Sequence, residues 1–201
     1  MSKGPILVSD NWSLKELIAA GWSEQELEWE QTCEDLAIAI AQDDEAAAKT
    51  AAASALRLAR EHFADGDPRL ATAIANQAMC VSASRGETAK QLLDEAGQAW
   101  NATHQWVEQM QAPRVARSSL FHMRMEQKHR AAYEDNWRIK WRHIAADAKG
   151  RLGAADLQTP RDPAAAREAL ARWQRERPAM LNDTRKLLAA AYLLLPGVSV
   201  V

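Results

Sequence analysis

The sequence predicts an all-α chain of about nine helices arranged as successive antiparallel pairs, a single repeat domain over residues 1–201. Three observations carry this. Helix-start signals recur along the whole chain, two long helical segments repeat at a fixed offset, and no stretch before the last few residues shows the strict apolar–polar alternation of a strand. The composition agrees: 47% apolar and 26% charged residues with only 8 Gly and 7 Pro can bury a core and are neither fibrous nor disordered.

The first signal is Ser13-Leu14-Lys15-Glu16, an S-x-x-E capping box that starts a short helix. Gly21 is placed to end it near Ala19 or Ala20 as the left-handed residue. Ser23-Glu24-Gln25-Glu26 is a second capping box and opens a helix expected to run to about Gln42. Asp43-Asp44-Glu45 then puts carboxylates at the positive end of the next helix dipole. That helix, Ala46 to Phe63, is rich in alanine, which lets a neighbouring backbone come close.

Ala-Asp-Gly-Asp-Pro at 64–68 breaks the pattern, with Gly66 free to turn left-handed and Pro68 pre-set for a first helical turn. Helices are expected over Leu70–Ala83 and, after a turn at Arg85-Gly86, over Thr88–Met110 with Leu92, Ala96, Ala99, Thr103 and Trp106 on one stripe. Ala112-Pro113 breaks again, and helices follow from Arg114 to about His129 and from Ala131 to Lys149. The organisation is thus a capping helix in 1–23, helix pairs over 24–150, a Gly/Pro loop over 151–163, a last pair in 164–195 and a tail over 196–201. The apolar stretch Leu187–Leu195 is expected either to pack on Ala164–Trp173 or to dock another chain, including a second copy.

The repeat is visible when Pro68-Arg69 is aligned with Pro113-Arg114, an offset of 45. Leu70 then falls on Val115, Ala71 on Ala116, Ala78 on Met123, Leu92 on Trp137 and Ala99 on Ile144, so the register is apolar on apolar through two helices. The stretch Ala55 to Ala78, through Ala71-Thr72-x-x-x-Asn76-x-Ala78, resembles the junction between units of tetratricopeptide repeat (TPR) proteins, closest to the long repeats of the kinesin light chain type. The likeness spans residues 46–150, best over 46–111, and departs from the family where Ser84-Arg85-Gly86 replaces its Gly-x-Tyr element. It implies a right-handed superhelix that binds peptides or partner helices on its concave side. It also makes Asn76 the counterpart of the family's groove asparagine, whose amide holds a bound peptide backbone, and puts Phe121 at the equivalent place one repeat on.

Net charge is only −2, yet the charge is segregated. Residues 24–50 carry nine acids against Lys49, and residues 114–152 carry ten bases against four acids. Along the helix from Arg114, the residues Arg117, Phe121, Arg124 and Lys128 form one stripe, a basic face with an aromatic grip suited to a partner segment of acidic or mixed acidic and apolar character. The acids of 24–35 encircle their helix and read as solvated faces.

Together these features predict a non-enzymatic protein–protein interaction module, an adaptor, scaffold or assembly factor, with no cofactor. No phosphate loop, nucleophile elbow or zinc-protease pattern occurs. His122 and His129 lie seven apart, about 10 Å along a helix, too far to share one ion without help from another element. With Met125 between them they define the metal-handling or enzymatic alternative, while bases interleaved with Trp137 and Trp141 define a nucleic-acid-binding alternative. Cys33 and Cys80 stand isolated and read as buried free thiols. With no secretory leader pattern and no apolar run of about 20 residues, the expected location is the cytoplasm, away from membranes. Among the eight tryptophans, Trp12, Trp22 and Trp29 are expected to staple the capping helix to the first repeat, the rest mostly filling repeat cores.

Overall fold

The computed structural model describes residues 14–19, 21–81 and 86–109 together with isolated positions further on, among them 146–150, 186, 189 and 192–194. Among the described residues there is no strand, and the α-helices with described bounds are α1 (Leu14–Ala19), α2 (Glu24–Ala41), α3 (Glu45–His62), α4 (Pro68–Val81) and α5 (Gly86–Gln109), with further helical residues at 146–150. The helical class is therefore as expected. The helix predicted from Arg114 to about His129, and Ser13 of the first capping box, lie outside the described residues.

Local chemistry sets the ends of these helices. At α1 the Gly21 N–H bonds the Ile18 carbonyl and the Trp22 N–H bonds the Leu17 carbonyl, a Schellman closure with Gly21 at φ +91°. Leu17 and Trp22 are both buried in the main core, which supplies the apolar contact this motif favours. The second capping box forms as predicted: Glu26 N–H donates to Ser23 Oγ at 3.2 Å, and Ser23 N–H donates to Glu26 Oε2 at 2.8 Å. Such a cap is worth about 1 kcal/mol. The end of α2 repeats the Schellman pattern without glycine, with Asp43 at φ +57°, and Asp44 then caps α3 by accepting from the Ala47 N–H at 2.9 Å.

The connection from α3 to α4 is built by Gly66, at φ +84°, and by Asp67 at the N-cap ahead of Pro68. Proline suits that first position because its missing N–H would have had no helical partner there. Asp67 accepts from the Arg69 N–H at 2.9 Å, which satisfies one of the free donors of the first turn. α5 starts at Gly86, two residues earlier than expected, so this glycine lies in the helix and not in the turn before it.

α2 packs on α3, α3 on α4 and α4 on α5. Alanines make the contacts close: Ala48, Ala52, Ala55 and Ala59 on α3, and Ala71, Ala75 and Ala78 on α4, are all fully buried. The buried line of α5 runs through Ala89, Ala96, Trp100 and Thr103, with the expected Leu92 and Ala99 at its flanks. Trp22, Trp29 and Trp100 are core residues, as expected of these tryptophans, and Cys33 and Cys80 are buried free thiols.

Two expectations are corrected. Glu30 and Glu34 do not lie on a solvated face; at 3% and 5% exposure they are buried, and with Glu26 they fall four apart along one side of α2. In the apolar C-terminal stretch it is the helix geometry that differs, while the expected partner Ala164–Trp173 lies outside the described residues beyond Ala164. Ala189, Tyr192, Leu193 and Leu194 are buried in the cores formed by α2, α3 and α4, and Lys186, Ala189 and Tyr192 have 3₁₀ rather than α geometry.

Candidate functional site

α4 is buried along nearly its whole length, so each polar side chain on it needs a partner. Arg69, Thr72 and Asn76 are 6%, 0% and 3% exposed. Thr72 and Asn76 are one turn apart on the same face, and both are occupied by the C-terminal segment. The Thr72 hydroxyl donates to the Ala189 carbonyl at 3.0 Å. The Asn76 amide engages two backbone groups at once: its Nδ2 donates to the Tyr192 carbonyl at 2.8 Å, and its Oδ1 accepts from the Leu194 N–H at 3.1 Å. A primary amide presents a donor and an acceptor side by side, which matches the C=O and N–H of two residues on a passing chain. These contacts read backbone and leave side-chain identity to the surrounding packing.

That packing is specific in shape. The Trp29 ring meets Tyr192 edge to face with centroids 6.0 Å apart and meets Phe63 in the same way at 5.9 Å. Leu194 enters a separate apolar cluster with Leu36, Ile40, Ala48, Ala52 and Cys80. From Asp67 through Thr72 and Asn76 to Cys80, the segment thus runs in the same direction as α4.

The N-terminal end of the site is an ion cluster. The Arg69 guanidinium donates to both oxygens of Asp67 (Nε to Oδ1 at 3.0 Å, Nη2 to Oδ2 at 2.8 Å) and through Nη1 to Glu26 Oε1 at 2.8 Å. Its central carbon lies 3.7 Å from the Phe63 ring centroid. Burial alone would lower the Arg69 pKa, but the hydrogen bonds and charges of Asp67 and Glu26 outweigh it and leave the value raised. Lys186 Nζ approaches Asp67 Oδ2 at 3.9 Å, so the cluster also touches the C-terminal segment. Two carboxylates face two cations in this arrangement.

One turn and two turns further along α2, Glu30 and Glu34 flank Cys33. Burial, reinforced by the charges of Glu30, Glu34 and Asp35, pushes the Cys33 thiol well above its ordinary range. Such a thiol is held neutral and is no nucleophile. An open depression between α3 and α4 is lined by Leu56, Arg57, Arg60, Glu61 and Gln77. Its cations are balanced locally, Arg57 by Glu61 at 2.9 Å and Arg60 by Glu95 at 3.3 Å.

Among the predicted site residues, Asn76 sits at the centre of this arrangement. Arg117, Phe121, Arg124 and Lys128 lie outside the described residues, as do His122, Met125 and His129. Among the described residues no group of three His, Cys, Asp or Glu is placed to hold a metal ion, and no helix is long and apolar enough to cross a membrane. Sequence reasoning passed over Asp67, Arg69 and Thr72. A signal was present in an arginine directly after Asp-Pro, at the start of a helix otherwise made of small and apolar residues.

The fold and the site define an all-helical protein that holds a chain segment against one buried helix by its backbone. No family profile, curated protein or solved structure matches this chain.

Proposed function

We propose that the chain is a non-enzymatic protein–protein interaction module, an adaptor, scaffold or assembly factor working in the cytoplasm. Its helix pairs continue as a right-handed TPR-like superhelix of about nine helices, with the groove on the side lined by α4 and the following repeat. The observation that carries the reading is the two-sided grip of the Asn76 amide on the Tyr192 carbonyl and the Leu194 N–H. This is the chemistry needed to hold a peptide backbone irrespective of its side chains. In the next repeat the basic stripe of Arg117, Phe121, Arg124 and Lys128 extends the groove toward a partner segment of acidic or mixed character.

The test is affinity capture from the native host with the intact chain and with an Arg117→Glu/Arg124→Glu variant, followed by mass spectrometry. The expected result is one protein recovered in stoichiometric amount by the intact chain and lost in the charge-reversed variant, with circular dichroism of the two unchanged. Recovery of the same protein by both chains, or a tight self-dimer with no partner, overturns the reading.

A further inference from the structure

The connection between α3 and α4 contains the one Asp-Gly pair of the chain, Asp65-Gly66, and no Asn-Gly pair occurs in the sequence. The two residues are the centre of a four-residue turn closed by the Asp67 N–H on the Ala64 carbonyl at 3.0 Å. At Gly66 the φ of +84° is the left-handed value that a type II turn needs at its third residue. Asp65 is exposed, and among the described residues no acceptor takes the Gly66 N–H. A solvated carboxyl is therefore followed in the chain by a backbone nitrogen that carries neither a hydrogen bond nor a Cβ beside it to obstruct approach.

We propose that Asp65-Gly66 is a site of spontaneous covalent modification in the folded protein, closing to a succinimide and reopening as isoaspartate. In the first step the Gly66 nitrogen bonds to the Asp65 Cγ, and its proton leaves with a carboxyl hydroxyl as water. Water then adds to either ring carbonyl. Breaking the bond from nitrogen to Cγ restores aspartate. Breaking the bond from nitrogen to the main-chain carbonyl carbon leaves Gly66 attached through Cγ and turns the former main-chain carbonyl into a free carboxylate. One water leaves and one returns, no electrons are exchanged, and neither an enzyme nor a co-reactant is required. The new carboxylate belongs to the class that isoaspartate-specific methyltransferases esterify with S-adenosylmethionine.

The neighbouring aspartate is closed to the same chemistry. Asp67 is followed by Pro68, whose nitrogen has no proton to lose, and its two carboxylate oxygens are held by the Arg69 guanidinium at 3.0 and 2.8 Å. Ring closure in this turn is thus confined to Asp65. The inference is independent of the proposed interaction role.

The position gives the change a reach beyond the turn. Isoaspartate carries one extra carbon in the main chain between the Asp65 Cα and the Gly66 nitrogen, so the Asp67 N–H and the Ala64 carbonyl lose their spacing. The Gly66 carbonyl accepts from the Thr103 hydroxyl of α5 at 3.2 Å, and Asp67 caps α4 and binds Arg69. A conversion at the surface therefore loosens a tie to α5 and the cap of α4, and the isomer should unfold at a lower urea concentration than the parent chain.

The experiment holds the full folded chain at neutral pH and physiological temperature and follows its tryptic peptide of residues 61–69 by reversed-phase chromatography and mass spectrometry. Expected is a second peptide of identical mass that grows with time behind a form lighter by one water, with fragment ions placing the change at Asp65 and leaving Asp67 unaltered. Aged protein, and not fresh protein, should accept methyl groups from S-adenosylmethionine when an isoaspartyl methyltransferase is added. Asp65→Glu should slow the conversion by at least about tenfold, because its ring has one more member and closes less readily. Asp65→Asn, which releases ammonia in place of water, should speed it. Both substitutions fall at an exposed side chain, and circular dichroism checks that the fold is kept. Absence of the second peptide from the folded chain overturns the inference, whether or not the urea-unfolded chain forms it. So does conversion at another aspartate that Asp65→Glu leaves unchanged.

Discussion

Asn76 and Leu194 are 118 residues apart in the chain and are joined by a hydrogen bond of 3.1 Å, from the Leu194 N–H to the Asn76 Oδ1. The other half of the same amide donates to the Tyr192 carbonyl at 2.8 Å. One buried side chain thus bonds two backbone groups in an apolar core. Since each buried unsatisfied group costs about 1–3 kcal/mol, Asn76→Ala should lower stability by about 2–4 kcal/mol in urea unfolding. Asn76→Asp keeps the acceptor for Leu194 but sets a carboxylate against the Tyr192 carbonyl. Its buried carboxyl would have a raised pKa, so the extra loss should appear as pH rises above about 4, the unfolded value, and be relieved in acid.

Arg69 joins α4 to α2 and to its own N-cap. Its side chain is 7% exposed, and those of Asp67 and Glu26 are 5% and 15% exposed, so removing the cation leaves two largely buried carboxylates facing each other. Arg69→Ala should cost about 3–5 kcal/mol, measured by chemical denaturation. Arg69→Lys retains the charge and loses the forked geometry on Asp67, and it should recover only part of that loss.

Gly66 carries two separate constraints. Its φ of +84° disfavours any L side chain, and a Cβ there would stand 3.0 Å from the Ala102 Cβ. Gly66→Ala should cost about 1–2 kcal/mol for the backbone alone, plus the contact. In combination with Ala102→Gly, after allowing for the helix cost of the new glycine, the contact share should be recovered and the backbone share should remain. A thermal-unfolding double-mutant cycle reads the two apart.

Cys33 provides a pH test. Its thiol is fully buried, and burial together with Glu30, Glu34 and Asp35 raises its pKa well above the ordinary 9.0. The native state therefore holds this proton at pH values where the unfolded chain releases it. Stability from this group is intact below about pH 8.5 and falls as pH rises past 9. Alkylation by iodoacetamide at pH 8 should be slow in the native protein and fast in urea, whereas Cys33→Ala should flatten the alkaline limb of the stability curve.

The helix ends were legible because the groups that make them lie within a few residues of each other. Ser23 with Glu26, Gly21 after α1, and Asp67-Pro68 before α4 each complete their hydrogen bonds inside one turn. The candidate site was legible at one residue. Asn76 stood out through a sequence resemblance, while Thr72 and Arg69 are ordinary helix residues until their partners arrive. Glu30 and Glu34 show the limit most plainly, since six carboxylates distributed around α2 carry no mark of which two face the core.

By itself, then, the sequence determined the helical class, the Gly21 close of α1, the Ser23–Glu26 capping box of α2, the turn at Gly66-Asp67-Pro68, and the burial of Cys33 and Cys80, all of which follow from local hydrogen bonding or from apolar character. Only the tertiary structure decided that Lys186, Ala189, Tyr192 and Leu194 meet α4, that Arg69 binds Glu26 across 43 positions, and that two glutamates are buried. The physical reason is range. Caps are closed by atoms a turn away, whereas a buried amide or guanidinium takes whichever distant backbone or carboxylate the packing of helices brings within 3 Å.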